Sequence, residues 1–200
     1  MNDSDKEWYG MKKAAWALDE YDKWNMTEKV SFLCEHYYKM ERLISDYRDE
    51  LIAEVLEQKE FSRRGSDEGI GVRIMVSFGR KTDTTSGMAM KRVEVSEAID
   101  RGLLDESFFE GVDNPEEVIR KVIVYHVVNE GFKTFSRRLE ELKPSDREII
   151  IPYLRREKRL CDLANDLNIE YHSAVRKIIR MKKRLEKEMG DCVVSVEGGI

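Results

Sequence analysis

Punctuation is scarce in this chain: three prolines and twelve glycines in 200 residues. Proline and glycine supply most of the turns that a many-stranded sandwich or barrel needs. Their scarcity excludes a large β architecture and points to long helices. Cysteine is scarce too. Cys34, Cys161 and Cys192 are odd in number and far apart, so no disulfide framework or zinc motif can be built from them, and reduced thiols in a cytoplasm are expected. No apolar run reaches the roughly 18 residues a membrane-spanning helix needs. Charge begins at the third residue, so no signal peptide is expected. The phosphate-cradling GxxxxGK[ST], the GxSxG elbow and HExxH are all missing. His36, His126 and His172 lack metal-ligand spacing, and His126 in "VIVYHVV" reads as a packed core residue. Glu35 and Glu50 lie on a carboxylate-rich helix and read as solvated surface. The chain is therefore expected to be no enzyme and to need no metal or cofactor.

What is present is charge. Asp, Glu, Lys and Arg make up 38% of the chain and apolar residues 41%, a balance typical of solvent-exposed helices. The net charge of −5 hides an asymmetry. Residues 154–188 hold 11 Lys/Arg and 6 Asp/Glu, about +5, whereas the remainder holds 35 − 11 = 24 basic and 40 − 6 = 34 acidic residues, about −10. The acidic total argues against a general nucleic-acid coat, but not against a DNA-reading module at one end.

The spacing of apolar residues predicts an all-α chain. Trp8, Met11, Ala15 and Leu18 mark a helix over 4–24. Thr27 is a candidate N-cap for a helix over 28–61. Its Val30, Leu33, Tyr37, Met40, Ile44, Tyr47 and Leu51 form a heptad seam. That seam suits either an antiparallel hairpin within one molecule or a dimerising coiled coil. Residues 62–88 contain five glycines and read as a linker, with at most a short strand at "VRIMVSF". A helix resumes over 89–101 and stops at Gly102. Asn114 and Pro115 then start another, whose Val118, Tyr125, Val128, Phe132, Phe135, Leu139 and Leu142 continue a seam to 142. Gly131 weakens that helix by about 1 kcal/mol relative to Ala. The expected domains are a helical hairpin or oligomerisation region over 1–61, the linker over 62–88, central helices over 89–142, a DNA-binding domain over 143–189 and a loose tail over 190–200.

In the last domain, Ser145 and Glu148 have capping-box spacing, and Pro152 is expected to end or kink the first helix. Next comes a short helix with Leu160, Leu163, Ala164 and Leu167 on one face. Asn168 stands where a left-handed turn residue is wanted, and Ile169 is placed to plug the turn. The final helix, from about 171 to 189, has two faces on a wheel of 100° per residue. Ala174, Val175, Ile178, Met181, Leu185 and Met189 gather behind. Arg176, Arg180, Lys183 and Lys187 gather in front, with His172 and Ser173 near the start and Lys177 and Arg184 at the border. A short helix, a tight turn and a basic second helix make a helix-turn-helix able to face a major groove. The blander account is a solvated basic face. A lipid surface fits less well, because the apolar side lacks the Trp and Phe of interfacial helices.

The stretch "LEELKPSDREIIIPYLRREKRLCDLANDLNIEYHSAVRKIIRMKKRL", residues 139–185, resembles region four of bacterial sigma factors, the helix-turn-helix that reads the promoter −35 element. Leu142, Glu148, Ile149, Tyr153, Leu163, Ala164, Leu167, Ile169, Val175, Arg176 and Ile178 carry the likeness. Glu170 stands where that pattern commonly has a capping Ser, Pro152 is foreign to it, and the turn is one residue longer. No segment matches the aromatic-rich region two. Over the whole chain the arrangement looks like phage-encoded regulators of the ArpU and RinA type, with Thr82, Asp83, Thr84 and Thr85 carrying the middle of the match. The resemblance implies a cytoplasmic transcription regulator, acting on phage late genes or similar operons in a low-GC Gram-positive host. Its expected partners are double-stranded DNA, RNA polymerase and a second copy of itself.

Base readers would be His172, Ser173, Arg176, Lys177 and Arg180, with Lys183 and Arg184 on phosphate. Arg155, Arg156, Lys158 and Arg159 would either reach the backbone or keep a turn soluble. The rival reading is the small, DNA-recognising subunit of a phage packaging terminase, in which the DNA-binding domain usually comes first rather than last.

Overall fold

The computed structural model describes residues 18–67 and 84–197, and side chains over 18–62 and 89–190. Among these residues all regular structure is helical and no strand occurs. After a 3-10 turn at Tyr21–Lys23 come α1 (Met26–His36), a second 3-10 turn (Tyr37–Lys39), α2 (Met40–Asp67), α3 (Thr84–Arg101) and α4 (Glu106–Phe109). Then follow α5 (Pro115–Glu141), α6 (Pro144–Leu154), α7 (Leu160–Asp166) and α8 (Tyr171–Glu197). No helix among the described residues is long and apolar enough to cross a membrane.

Several boundaries depart from those expected. Most of the first helix, the strand at "VRIMVSF", Thr82 and Asp83 lie outside the described residues. Asn25, not Thr27, caps α1. The Asn25 Oδ1 accepts from the Glu28 N–H at 3.0 Å and a Glu28 carboxylate oxygen accepts from the Asn25 N–H at 2.9 Å, a reciprocal capping box. The 28–61 helix is broken by the turn at 37–39. Three residues at 3.0 per turn advance the chain by about 60° more than an α-helix would, which resets the phase of the apolar stripe. Helices also extend into the expected linker from both sides, to Asp67 and from Thr84. Ser145 is not a cap: Lys143 holds that position without a side-chain bond, and Pro144 opens α6. Pro152 sits in the last turn of α6, which ends at Leu154. The expected loose tail is helical as far as Glu197.

The heptad seam is occupied inside the chain. Val30, Leu33, Met40, Ile44, Tyr47, Leu51 and Val55 are buried, and so are Val118, Tyr125, Val128, Phe135, Leu139 and Leu142, while Tyr37 and Phe132 are half-buried with their rings 5.8 Å apart. A seam already removed from water has little apolar area left to bury against a second copy.

The chain divides into two compact units, one of Met1–Ile44 with Val127–Ile200 and one of Ser45–His126. This differs from the linear order of domains expected, because α2 and α5 each contribute to both units. In the first, α8 packs on α1, α6 and α7. An aromatic cluster closes one part of it, with Trp24 and Phe32 rings 5.2 Å apart, Tyr21 and Trp24 5.5 Å apart, and His36 stacked on Phe32 at 4.4 Å.

That cluster explains Gly131. A Cβ at this position would lie 3.1 Å from the Tyr21 hydroxyl, and the buried tyrosine ring is wedged among its neighbours. Gly131→Ala is therefore expected to destabilise the fold, despite a helix-propensity gain of about 1 kcal/mol. Adding Tyr21→Phe, which removes the obstructing oxygen, should make the same alanine stabilising. Denaturant unfolding of the two single variants and the double variant checks this; additive effects would refute the contact.

In the second unit Arg48 grips Asp100 through two bonds of 2.6 and 2.5 Å and also donates to the Ser96 hydroxyl. This bidentate pairing holds the Asp100 carboxyl below its usual range. Lys121 donates to Glu54 at 2.8 and 3.0 Å. Both pairs are half-exposed, so they set orientation more than stability; buried Val95, Ile99, Val118, Val122 and Val124 supply the apolar core. His126 Nε2 donates to the Ile99 carbonyl at 2.8 Å, beside Gly102, whose φ of +65° ends α3.

Candidate nucleic-acid interface

The segment 144–187 is built from the turns outward. α6 closes with the backbone pattern of a Schellman motif: Arg156 N–H to Tyr153 O at 3.1 Å and Glu157 N–H to Pro152 O at 2.9 Å. The residue in the left-handed position is Arg156, at φ 58°, a conformation that costs a non-glycine residue about 1–2 kcal/mol. Its guanidinium lies over the Tyr38 ring at 4.1 Å, a contact that offsets part of that strain. Lys158 meets Asp166 at 2.6 Å and Arg155 reaches Glu157 at 3.9 Å. The Arg159 N–H is accepted by the Asp162 carboxylate at 2.9 Å, capping α7. Arg155 and Lys158 are thus paired locally and Arg156 stacks on Tyr38, while Arg159 contributes its backbone N–H.

α7 ends in a second Schellman pattern, with Asn168 N–H bonded to Asn165 O and Ile169 N–H to Ala164 O, both at 3.0 Å. Asn168 takes φ 49°, the left-handed conformation expected of it. Leu163 and Ala164 are buried where α7 packs on α8. Ile169 does not plug the turn; it is 36% exposed. A four-residue connection, 167–170, leads to α8, whose first turn starts on the Glu170 carbonyl, accepting from Ser173 and Ala174 N–H at 2.9 and 3.1 Å.

α8 is two-faced. Ala174, Ile178, Met181, Leu185 and Met189 are buried, and α1, α6 and α7 pack on the helix. Val175, expected on this face, is only half-buried. His172, Ser173, Arg176, Arg180 and Lys183 are exposed, Lys177 is half-buried, and Lys187 is exposed one turn beyond. Among the described residues no ion pair engages Arg176, Lys177, Arg180, Lys183 or Lys187. Arg184 differs from the rest of its group. Its Nε donates to Glu188 at 2.7 Å and its guanidinium lies 3.9 Å from Asp146. Glu188 chiefly, and Asp146 less, raise its pKa above the usual guanidinium value. Lys182 turns away from the stripe, over the Tyr153 ring at 5.4 Å.

His172, Arg176, Arg180, Lys183 and Lys187 follow one another at steps of three and four. Among the four Arg and Lys residues, like charges at those steps oppose helix formation, by roughly 0.2–0.5 kcal/mol per pair. A face that is merely solvated usually mixes signs, as Arg184 and Glu188 do. An unpaired stripe of one sign is electrostatically matched to a polyanion. Lys187 belongs with the predicted residues, and its place on the helical wheel was the signal for it. Two exposed apolar side chains, Tyr171 and Ile179, were not anticipated. Tyr171 meets the His172 ring edge-on at 5.8 Å.

No family model, curated protein or solved structure matches the chain. Among the described residues the protein is all-helical, and its C-terminal helix pair, bent at left-handed Asn168, presents a cationic helix face without carboxylate partners.

Proposed function

We propose that this protein is a sequence-specific DNA-binding transcription regulator that lays the first turns of α8 in the major groove. One observation carries the reading: Arg176, Arg180, Lys183 and Lys187 form an exposed stripe with no carboxylate partner among the described residues, on a helix whose opposite face is anchored in the unit's core. An anchored helix is already ordered in its backbone, so binding costs only the rotamer freedom of the long side chains, and no carboxylate has to be displaced first. In this reading His172, Ser173, Arg176, Lys177 and Arg180 address base edges and Lys183 and Lys187 phosphate. Arg184 contributes least, because it already serves Glu188 and Asp146. The likeness of residues 139–185 to sigma region four supports a promoter as the target, and the broader likeness to phage late-gene regulators supports a phage or prophage role.

A lone module of this size binds weakly. With the N-terminal seam buried, the added energy comes from RNA polymerase docking, or from a second copy joined through another surface and set on a paired half-site. Four phosphate contacts give a slope of log K against log salt of about −3.6, so a fourfold rise in salt is expected to cost roughly 150-fold in affinity. Fluorescence anisotropy of labelled duplex, titrated with the full chain from about 50 to 200 mM salt, measures the slope. A slope near zero, or no binding at the lowest salt, would remove the DNA-binding reading.

A further inference from the structure

Ile179 is 47% exposed, and it borders the cationic stripe, between that stripe and half-buried Val175. It follows Arg176 by three residues and adjoins Arg180, so the three side chains share one exposed sector of α8. At 100° per residue, Ile179 sits about 60° from Arg176 on the flank that also carries His172. The helix rises 1.5 Å per residue, so Ile179 is displaced about 4.5 Å along the axis from Arg176, little more than one base-pair step. A singly exposed apolar side chain is ordinary on a protein surface, but this one adjoins the arginines proposed to read bases, and the described residues leave about half of it open to solvent. In a major groove the one apolar feature of the base edges is the thymine C5-methyl group.

We infer that Ile179 is a specificity-determining residue that packs on a thymine methyl, so that the recognised half-site holds a thymine within about two base pairs of a guanine read by Arg176 or Arg180. The inference rests on the DNA-binding reading above and adds to it a chemical feature of the target. Arginine prefers the paired acceptors of guanine, while isoleucine can contribute only by removing apolar surface from water. The two side-chain types together therefore specify a mixed half-site, neither purely G·C nor purely A·T.

The test uses the intact chain. Duplexes retained from a random-sequence pool define the preferred site. Each thymine in it is then replaced in turn by deoxyuridine, which pairs identically and lacks only the methyl. At one position the replacement is expected to weaken binding about fourfold, the equivalent of one buried methyl group. Ile179→Ala should bind the thymine and uracil duplexes equally, and its circular dichroism should match the parent because the side chain is exposed. If the parent protein is indifferent to uracil at every thymine, or Ile179→Ala keeps the discrimination, the assignment of Ile179 fails while DNA binding stands. If no sequence is enriched at all, this inference falls together with the reading beneath it.

Discussion

Arg176→Ala is expected to weaken binding to the preferred duplex by about 1–3 kcal/mol, roughly 5- to 150-fold, because a bidentate contact to guanine is lost. On random duplex the same change should cost much less, as only one charge in the stripe disappears. Lys183→Ala should behave differently. A phosphate-facing lysine carries no sequence information, so its loss lowers affinity alike on both duplexes and reduces the salt slope by about 1. Both side chains are exposed, so neither variant should disturb folding. Parallel titrations on the two duplexes decide the roles, and identical profiles for the two variants would refute this division between base reader and phosphate contact. Arg184→Ala provides an internal comparison. Its guanidinium is shared between Glu188 and Asp146, and removing it should change DNA affinity less than either.

The second large effect is expected at the back of the same helix. Leu185 is 0% exposed, on the face where α8 meets its neighbours. Leu185→Ala should cost about 2–5 kcal/mol, the sum of lost transfer energy and a cavity that packed helices cannot close. Relative to a typical domain stability of about 5–15 kcal/mol, that is enough to bring the unit near unfolding. Chemical denaturation followed by far-ultraviolet circular dichroism gives the midpoint. A loss below about 1 kcal/mol would mean that α8 is held by something other than its apolar face. DNA affinity measured well below the unfolding midpoint should stay close to that of the parent, because the cationic stripe is untouched. The two faces of one helix are thus separable by experiment, one through stability and the other through binding.

Much of this could be read along the chain. The apolar steps of three and four marked most of the long helices, though not the break at Tyr37–Lys39, the short α4 or the reach of α8 to Glu197, and the Asn114–Pro115 start of α5 is in place. The Asn114 side chain both accepts from the Glu117 N–H at 3.4 Å and donates to the Glu117 carboxylate at 3.1 Å. Asn168 and Gly102 sit in left-handed conformations, as their residue types and positions suggested. These features are local: a cap, a turn or an amphipathic stripe is set by residues within one or two helical turns.

Other features were not local. A heptad seam has the same pattern whether its partner lies within the chain or on a second copy, and burial of Val30, Leu33, Met40 and Leu51 showed that it is covered within the chain. The Asn25 cap competed with Thr27 two residues away. Thr27 instead gives its hydroxyl to Glu186, a partner 159 residues distant in sequence. Gly131 weakens its helix by local propensity, but it is the Tyr21 hydroxyl, far away in sequence, that leaves little room for a side chain there.

The sequence by itself determined the helical class, the two-faced character of α8 and the turn at Asn168, because all three follow from periodicity and backbone preference over short spans. Only the tertiary structure decided which cations are free. Arg156 lies on Tyr38 and Arg184 between Glu188 and Asp146, whereas Arg176, Arg180, Lys183 and Lys187 keep no carboxylate partner among the described residues. Charge at a position is a property of the residue, and the Arg184–Glu188 contact, four residues apart on one helix, is legible in sequence, but the approach of Asp146 to Arg184 and of Tyr38 to Arg156 depends on packing between distant elements.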